Sequence, residues 1–555
     1  METVPPQRPQ VCVVVIGYND AAHVAEAVHS ALTQGPAVSE VIAVDDCSTD
    51  GSPELLRQLA AAHPRLRVVA RGVNSGGCGT PRNDGIDAGS APYLMFLDSD
   101  DILPPGAVDA LLTAATEHAT EVTSGLCVRR ELPSGREVPW QPELYDRPAI
   151  VRRPADRPRL VYDTLCVNKL YRTDFLRRHA IRFPDGPVVY EDFVFTARVL
   201  AAAPRIALIA NPVYVWHVRR SAARLSLSLD RSGIDNWRAR MDAHRQAVEI
   251  LRDAGEKQLA SAASAKFLEH CLRMYLRELD AHGPDYQREW WSLTRAYLET
   301  FDTADLDRAP APGRTIGQVL LASPEPVDLP RLKQLAARPA RLLPPYARAA
   351  DGTPIWSDAL PEVTLEHLLV RPMRLLPLAV DAELRPRTRT SVLTLRLHEL
   401  YGRVAAAGPT TVDIELQARH GGHPGLRSTA TWSAAPTEPN TQNTTSTPST
   451  PDTPTGPDAT WTAQVPLDLG ALTSGAWHLR LKLRFADGTV RDSTARAVPG
   501  PGLLRRRALP NLHHGALLVH PYATNSGNLA VRLAPGMRGV VGVLRRRARR
   551  LLGTG

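Results

Sequence analysis

Along the first 110 residues, short apolar runs alternate with amphipathic stretches of helical length, the pattern of strand and helix units around a mainly parallel sheet. Val11–Ile16, Glu40–Val44, Arg67–Ala70 and Tyr93–Leu97 read as strands, with Ala21–Thr33 and Pro53–His63 as helices between them. Pro105–Ala115 and Phe193–Ala203 read as helices and Ile206–Trp216 as another strand. From about Asp235 the composition shifts to helix formers, and Leu268, Leu272, Tyr275 and Leu279 fall on one helical face. Pro-rich stretches at Ala309–Arg314 and Ser323–Pro330 are expected to interrupt these helices. Beyond Val363, segments such as 392–397, 411–416 and 478–485 alternate apolar with polar residues, as half-buried strands do, and predict a β-sandwich. The Thr/Pro/Asn-rich stretch Ser433–Ala459 has almost no large apolar side chains to offset ordering entropy and is expected to be a disordered loop. The chain therefore divides into an α/β domain over 9–234, a helical linker over 235–345, a β-sandwich domain over 363–500 and a basic tail over 501–555.

A length of 555 residues agrees with several domains. No apolar run approaches the roughly 18 residues that span a bilayer, which excludes an integral membrane protein built on apolar helices. The run from Val11 to Ile16 is too short and too strand-like for a secretory signal, so export is not expected. Six cysteines without a C-x-x-C pair suggest reduced, mostly buried thiols in a cytoplasmic protein. The net charge of +8 is concentrated at the end: residues 501–555 hold ten Arg and no acid, leaving the first 500 slightly negative. Arg545, Arg546, Arg547, Arg549 and Arg550, interleaved with Leu and Val, could meet anionic lipid head groups, or form a solvated basic end. Nucleic acid is not expected, because no aromatic reading surface accompanies these arginines.

Chemistry is suggested by acids at the carboxyl ends of expected strands, where open α/β sheets place ligands. Asp45 and Asp46 follow the second strand, and Asp98, Asp100 and Asp101 the fourth. Carboxylates this close repel one another and call for a compensating cation, for which Mg²⁺ or Mn²⁺ bridging phosphates is the natural choice. The bland alternative for Asp98–Asp101 is a cap on the following helix, and Glu191-Asp192 could likewise cap helix Phe193–Ala203.

The stretches Val13-Val-Val-Ile-Gly-Tyr-Asn-Asp, Val44-Asp-Asp-Cys-Ser-Thr-Asp-Gly-Ser, Asn74-Ser-Gly-Gly-Cys-Gly-Thr-Pro-Arg-Asn-Asp-Gly, Phe96-Leu-Asp-Ser-Asp-Asp and Tyr190-Glu-Asp-Phe-Val-Phe resemble, in order and spacing, glycosyltransferase family 2. The resemblance covers about residues 9–224 and implies a GT-A fold and an inverting, metal-dependent transfer from a nucleotide-sugar, with UDP as the favoured leaving group. By analogy Gly17, Tyr18, Asn19 and Asp46 would hold the nucleoside, with Arg82 close to that pocket, and Asp98 and Asp100 would form the metal–diphosphate pair. Asp192, beside Glu191, would be the catalytic base. His217 would be a metal ligand, Arg219 and Arg220 would clamp the diphosphate, and Lys169 and Arg172 would meet a phosphate-bearing acceptor.

The order of domains resembles the bacterial wall teichoic acid glycosyltransferases. This implies a polyol-phosphate or other anionic cell-envelope polymer as acceptor, action at the inner membrane face and a homo-oligomer formed through the C-terminal domain. Alternatives are an exopolysaccharide or lipid-linked glycan transferase and, in another class, a non-catalytic glycan-binding scaffold. A dinucleotide oxidoreductase is excluded, because Gly17-Tyr18-Asn19-Asp20 stands where G-x-G-x-x-G would follow the first strand.

Overall fold

The computed structural model describes residues 10–219, 230–419, 425–434, 460–500, 502–511 and 515–535. The chain forms two compact units, one of residues 1–267 with 299–309 and the other of residues 268–298 with 310–555.

The first unit is built on a nine-stranded mixed sheet. Its strands are β1 (Val11–Gly17), β2 (Val38–Asp45), β3 (Leu66–Ala70), β4 (Tyr93–Asp98), β5 (Val122–Leu132), β6 (Arg136–Pro139), β7 (Ala149–Val151), β8 (Lys169–Arg172) and β9 (Ile206–Arg219). The order is β3-β2-β1-β4-β8-β5-β9-β7, with β6 paired to β5. The half read from apolar runs, β3-β2-β1-β4, is parallel throughout. β8 then runs antiparallel between β4 and β5, so the sheet is mixed where the sequence suggested mainly parallel pairing. Helices α1 (Val24–Leu32), α2 (Ser52–Ala62), α3 (Gly79–Ala88), α4 (Ala107–Glu117), α5 (Thr173–Arg178) and α6 (Glu191–Ala201) connect the strands. Side chains from Val11 to Val15, Val41 to Val44 and Leu94 to Leu97 are at most 1% exposed, as expected of strands covered on both faces.

The expected helical linker is not one segment. Helices α7 (Asp235–Asp253) and α8 (Lys257–Lys266) belong to the first unit, whereas the helices Pro284–Leu298, Ala311–Ala322 and Leu329–Ala336 belong to the second. The prolines near 312 and 330 begin helices rather than interrupt them, since a proline in the first turn removes only an N–H that had no intrahelical acceptor.

In the second unit a five-stranded and a seven-stranded sheet form a β-sandwich. Leu384, Leu393 and Leu467 of one sheet meet Leu416, Leu479 and Val531 of the other around a small apolar gap. Two boundaries differ from the expectation. Ser433–Ala434 pairs with Trp461 and Thr462 as a short strand, while residues 435–459 of the expected loop lie outside the described residues. The region after 500 is not only a tail: Arg507–Asn511, Gly515–Ala523 and Leu529–Pro535 are strands of the seven-stranded sheet. Their alternation is short and broken by His and Pro, and pairing rather than local pattern makes them strands. Arg545–Arg550 lie outside the described residues. Among the described residues no helix is long and apolar enough to cross a membrane. The six cysteines are free, with Cys47 and Cys78 only half-buried.

Candidate active site

Because β1 pairs in parallel with both β2 and β4, with Gly17 opposite Asp45 and Ile16 opposite Asp98, three loops leave the sheet side by side at its carboxyl edge. At about 4.8 Å between neighbouring strands, the ends of β2 and β4 stand about 10 Å apart. Gly17 anchors the first loop, its carbonyl accepting from the Asp46 amide at 3.0 Å. Asn19 adopts the left-handed conformation (φ 52°), which Asn tolerates better than most residues. Its amide donates to Ser48 Oγ at 2.8 Å, and its Oδ1 accepts from the Thr49 amide at 2.7 Å. The buried Asp46 carboxylate accepts from Ser75 Oγ at 2.8 Å and Asn74 Nδ2 at 3.0 Å and pairs with Arg71 Nε at 2.9 Å. Tyr18 remains 39% exposed beside this stitched pair of loops.

The second cluster is centred on Arg82, which is 2% exposed. Its Nη2 donates to Asp98 Oδ1 at 2.7 Å, and its Nη1 to Glu191 Oε1 at 2.5 Å and Asp192 Oδ1 at 3.3 Å. One guanidinium therefore joins the end of β4 to the start of α6. Tyr190 turns the chain into α6 through a left-handed conformation (φ 68°), and Glu191 and Asp192 occupy the first helical turn. Their position is that of helix-terminal acids, but their carboxylates are engaged by Arg82. Asp98–Asp101 are not the cap of the next helix: α4 starts at Ala107, with Gly106 at its cap position.

Burial raises the proton affinity of Glu191, with repulsion from Asp192 adding to it, and pushes its pKa up to about 7. Asp192 is also raised by burial, against the opposing pull of Arg82 and a hydrogen bond from Cys166. A carboxylate in this setting binds a proton nearer neutral pH than an exposed one does, which suits a general base. The Arg82 guanidinium stays charged: burial disfavours its cation, but the surrounding acids outweigh that and raise its pKa. Asp100, with 45% of its side chain accessible, is raised to about 6 by partial burial and by repulsion from Asp98 and Asp20.

Arg82, expected close to the nucleoside pocket, has its guanidinium among Asp98, Glu191 and Asp192, because α3 carries it toward α6. Asp98, Asp100 and His217 form no three-ligand cage, and no such cluster occurs among the described residues. Asp98 faces Arg82, whereas His217 Nδ1 lies 3.1 Å from the Asp100 carbonyl. Arg219 reaches the same turn, its Nη1 donating to the Asp100 carbonyl at 2.8 Å and approaching Oδ2 at 3.4 Å. Arg220 lies outside the described residues. Lys169 is not free for an acceptor, since its Nζ is spent on the buried Asp163 carboxylate at 2.9 Å and on Asn168 Oδ1 at 3.0 Å. Arg172 pairs with Tyr93, at the opposite end of β4 from Asp98, and donates to Asp174 at 2.7 Å.

Other residues of the site were given no role by the sequence reading. Asp101 is buried and ties β4 to β9, accepting from Tyr214 Oη at 2.7 Å and the His217 amide at 2.7 Å. Asp20 accepts from Ser99 Oγ at 2.7 Å and contacts His23 Nδ1 at 2.5 Å, linking the first loop to the acidic turn. Asp163 collects Trp140, Tyr145, Asn168 and Lys169. Asp20 stands in the first of the matching stretches, whereas nothing local marks Asp163.

Residues 12–179 match the family model described as Glycosyl transferase family 2. A poly(ribitol-phosphate) beta-glucosyltransferase of Bacillus spizizenii is 30% identical over 221 residues, covering 40% of this chain and 34% of that protein. The succinoglycan biosynthesis protein ExoO of Rhizobium meliloti is 29% identical, covering 40% of this chain and 64% of its own. The poly(ribitol-phosphate) beta-N-acetylglucosaminyltransferase TarS of Staphylococcus aureus is 29% identical, covering 39% and 36%. The chain thus spans between about one third and just under two thirds of these relatives' lengths. The crystal structure of S. aureus TarS superposes with a TM-score of 0.52 at 18% identity, covering 95% of this chain and 85% of that one, a likeness of fold. By family match, and with its loops and acids gathered at one sheet edge, the segment 12–179 is a glycosyl transferase family 2 domain.

Proposed function

We propose that the chain is an inverting glycosyltransferase that moves a sugar from a UDP-sugar to a hydroxyl of an anionic, polyol-phosphate cell-envelope polymer. The observation that carries this reading is the single guanidinium of Arg82 holding Asp98, Glu191 and Asp192 together. A donor seated along the carboxyl edge would lay its nucleoside on Tyr18, Asn19 and Asp46 and its diphosphate near Asp98, Asp100 and Arg219. Asp192 then stands where an acceptor hydroxyl must lose its proton as it attacks the anomeric carbon. The proton passes to the Asp192 carboxylate, and UDP leaves from the opposite face of the sugar. Burial raises the proton affinity of Asp192, as a general base requires, while Arg82 favours its ionised form.

Asp98 and Asp100 suit a Mg²⁺ or Mn²⁺ ion, which takes hard oxygen donors and needs only one or two carboxylates when substrate phosphates complete its shell. Asp100 is raised by burial and by repulsion from Asp98 and Asp20, and a cation there would relieve that repulsion. When bound, the ion would offset the charge developing on the leaving diphosphate.

The printed names of the B. spizizenii and S. aureus relatives support a polyol-phosphate acceptor. The likeness to ExoO, which covers more of that protein's length, favours an exopolysaccharide as the second reading. Contact of the Arg-rich end with an anionic membrane and a homo-oligomer through the β-sandwich belong to the first reading.

Release of UDP from UDP-glucose and UDP-N-acetylglucosamine, with Mg²⁺ or Mn²⁺ and either poly(ribitol phosphate) or a neutral exopolysaccharide, tests the proposal. Cation-dependent release stimulated by poly(ribitol phosphate) is the expected result. Stimulation by the neutral polymer alone would favour the second reading, and no release from any donor would leave a glycan-binding scaffold.

A further inference from the structure

Asn83 follows Arg82 on α3, and its side chain forms a closed pair with the backbone of Phe183. Its Oδ1 accepts from the Phe183 amide at 2.9 Å, and its Nδ2 donates to the Phe183 carbonyl at 3.0 Å. The same Nδ2 donates to Asp185 Oδ1 at 3.2 Å. One turn earlier, Thr80 Oγ1 donates to Asp185 Oδ1 at 3.2 Å and accepts from the Gly186 amide at 3.0 Å. At Gly79 the helix approaches this segment directly: a Cβ there would lie 2.3 Å from the Pro184 carbonyl oxygen, a contact only glycine permits.

Phe183 passes this contact on to α6. Its ring stacks on Phe195 with centroids 3.9 Å apart and planes 2° from parallel, and it meets Phe96 of β4 edge-on at 5.3 Å. The Arg82 guanidinium lies over the same ring, 5.3 Å from its centroid. Phe183 is thus held by Asn83 through its backbone, by Phe195 through one face, and sits under the cation that engages Asp192. An amide that satisfies a buried backbone N–H and C=O at once fixes the chain more tightly than apolar packing does, because leaving either group unpaired is costly.

The geometry points to Asn83 as a positioning residue that, with Thr80, latches the base-bearing segment onto α3 and so sets the distance between Arg82 and Asp192. Neighbouring residues of one helix divide the work: Arg82 supplies the charge and Asn83 the register. The assignment rests on Asp192 being the base.

The test uses the full chain with UDP-N-acetylglucosamine as donor and poly(ribitol phosphate) as acceptor, comparing wild type with Asn83→Ala, Asn83→Asp, Thr80→Val and Asp192→Asn. Asn83→Ala is expected to keep donor affinity, read by calorimetry, near wild type, because Asn83 makes none of the hydrogen bonds that hold Asp46 and Asn19, which Asn74, Ser75, Ser48 and Thr49 supply. Its kcat should fall by about 10²-fold, the scale of a misplacement of about 1 Å. The acid limb of its kcat profile should move to higher pH by about one unit, because an Asp192 that drifts from Arg82 loses the cation favouring its charged form. Asn83→Asp still accepts from the Phe183 amide but sets a carboxylate oxygen against the Phe183 carbonyl and Asp185, so it should fall at least as far as Asn83→Ala, whereas Thr80→Val should lie between wild type and Asn83→Ala. Loss of donor affinity in parallel with kcat, or an acid limb that stays in place in all three variants, would overturn the latch. Full turnover in Asp192→Asn would instead overturn the assignment of the base.

Discussion

Asp192→Asn is expected to lower kcat by about 10³-fold, within the range that general base catalysis contributes, while donor affinity changes little. The amide is close in shape to the carboxylate and can still accept from Arg82, so the cluster keeps its packing and loses only its proton acceptor. The pH profile of the wild-type enzyme carries the same logic. The base must be ionised, and burial raises the proton affinity of both Asp192 and Glu191, so activity should fall on acidification at a pH above the ordinary carboxylate range. The two carboxylates touch one cation and will titrate as a pair. Steady-state kinetics from pH 5 to 9, with calorimetric donor titrations on the variant, check both expectations.

Arg82→Ala is expected to have the broader effect. Three carboxylates, from Asp98, Glu191 and Asp192, would face one another without their shared cation, and breaking a buried pair in this way costs about 3–5 kcal/mol. Part of that cost is avoided if Glu191 or Asp192 takes up a proton, which itself removes the base. The variant should therefore unfold at lower temperature, lose turnover near neutral pH and recover some of it as the pH is raised. Arg82→Lys keeps the charge but not the planar fork that reaches two elements at once, so it should restore more stability than turnover. Thermal melts beside pH-dependent kinetics separate these contributions.

How far the sequence could be read depends on what each residue answers to. The runs Val11–Ile16 and Tyr93–Leu97 declare themselves as strands because their burial leaves no polar position, and the acids beyond them mark the ligand edge. Asp98 and Asp192 could be named through the family resemblance, and the structure brings both to Arg82. The contacts of Arg82 could not be read, because α3 carries two glycines and a proline in ten residues and lacks an apolar helical pattern. Only as a helix against β1 and the segment 183–186 does it aim the guanidinium at α6. Lys169 looked available because its partner, Asp163, is set by the fold around β8 and Tyr145, which no spacing rule reports. Arg172 was drawn to the acceptor side by its nearness in sequence to Lys169, but the antiparallel run of β8 takes it to the other end of β4. The strands after residue 507 were hidden by arginine-rich flanks and owe their conformation to neighbouring strands.

The central claim is a single displacement in which Asp192 and the departing UDP stand on opposite sides of the anomeric carbon. Its most direct test is the anomeric configuration of the glycosidic bond formed from an α-linked UDP-sugar, read from proton coupling constants of the purified product. A β-linked product is predicted; an α-linked product would require a second displacement or front-side attack, and would contradict the account.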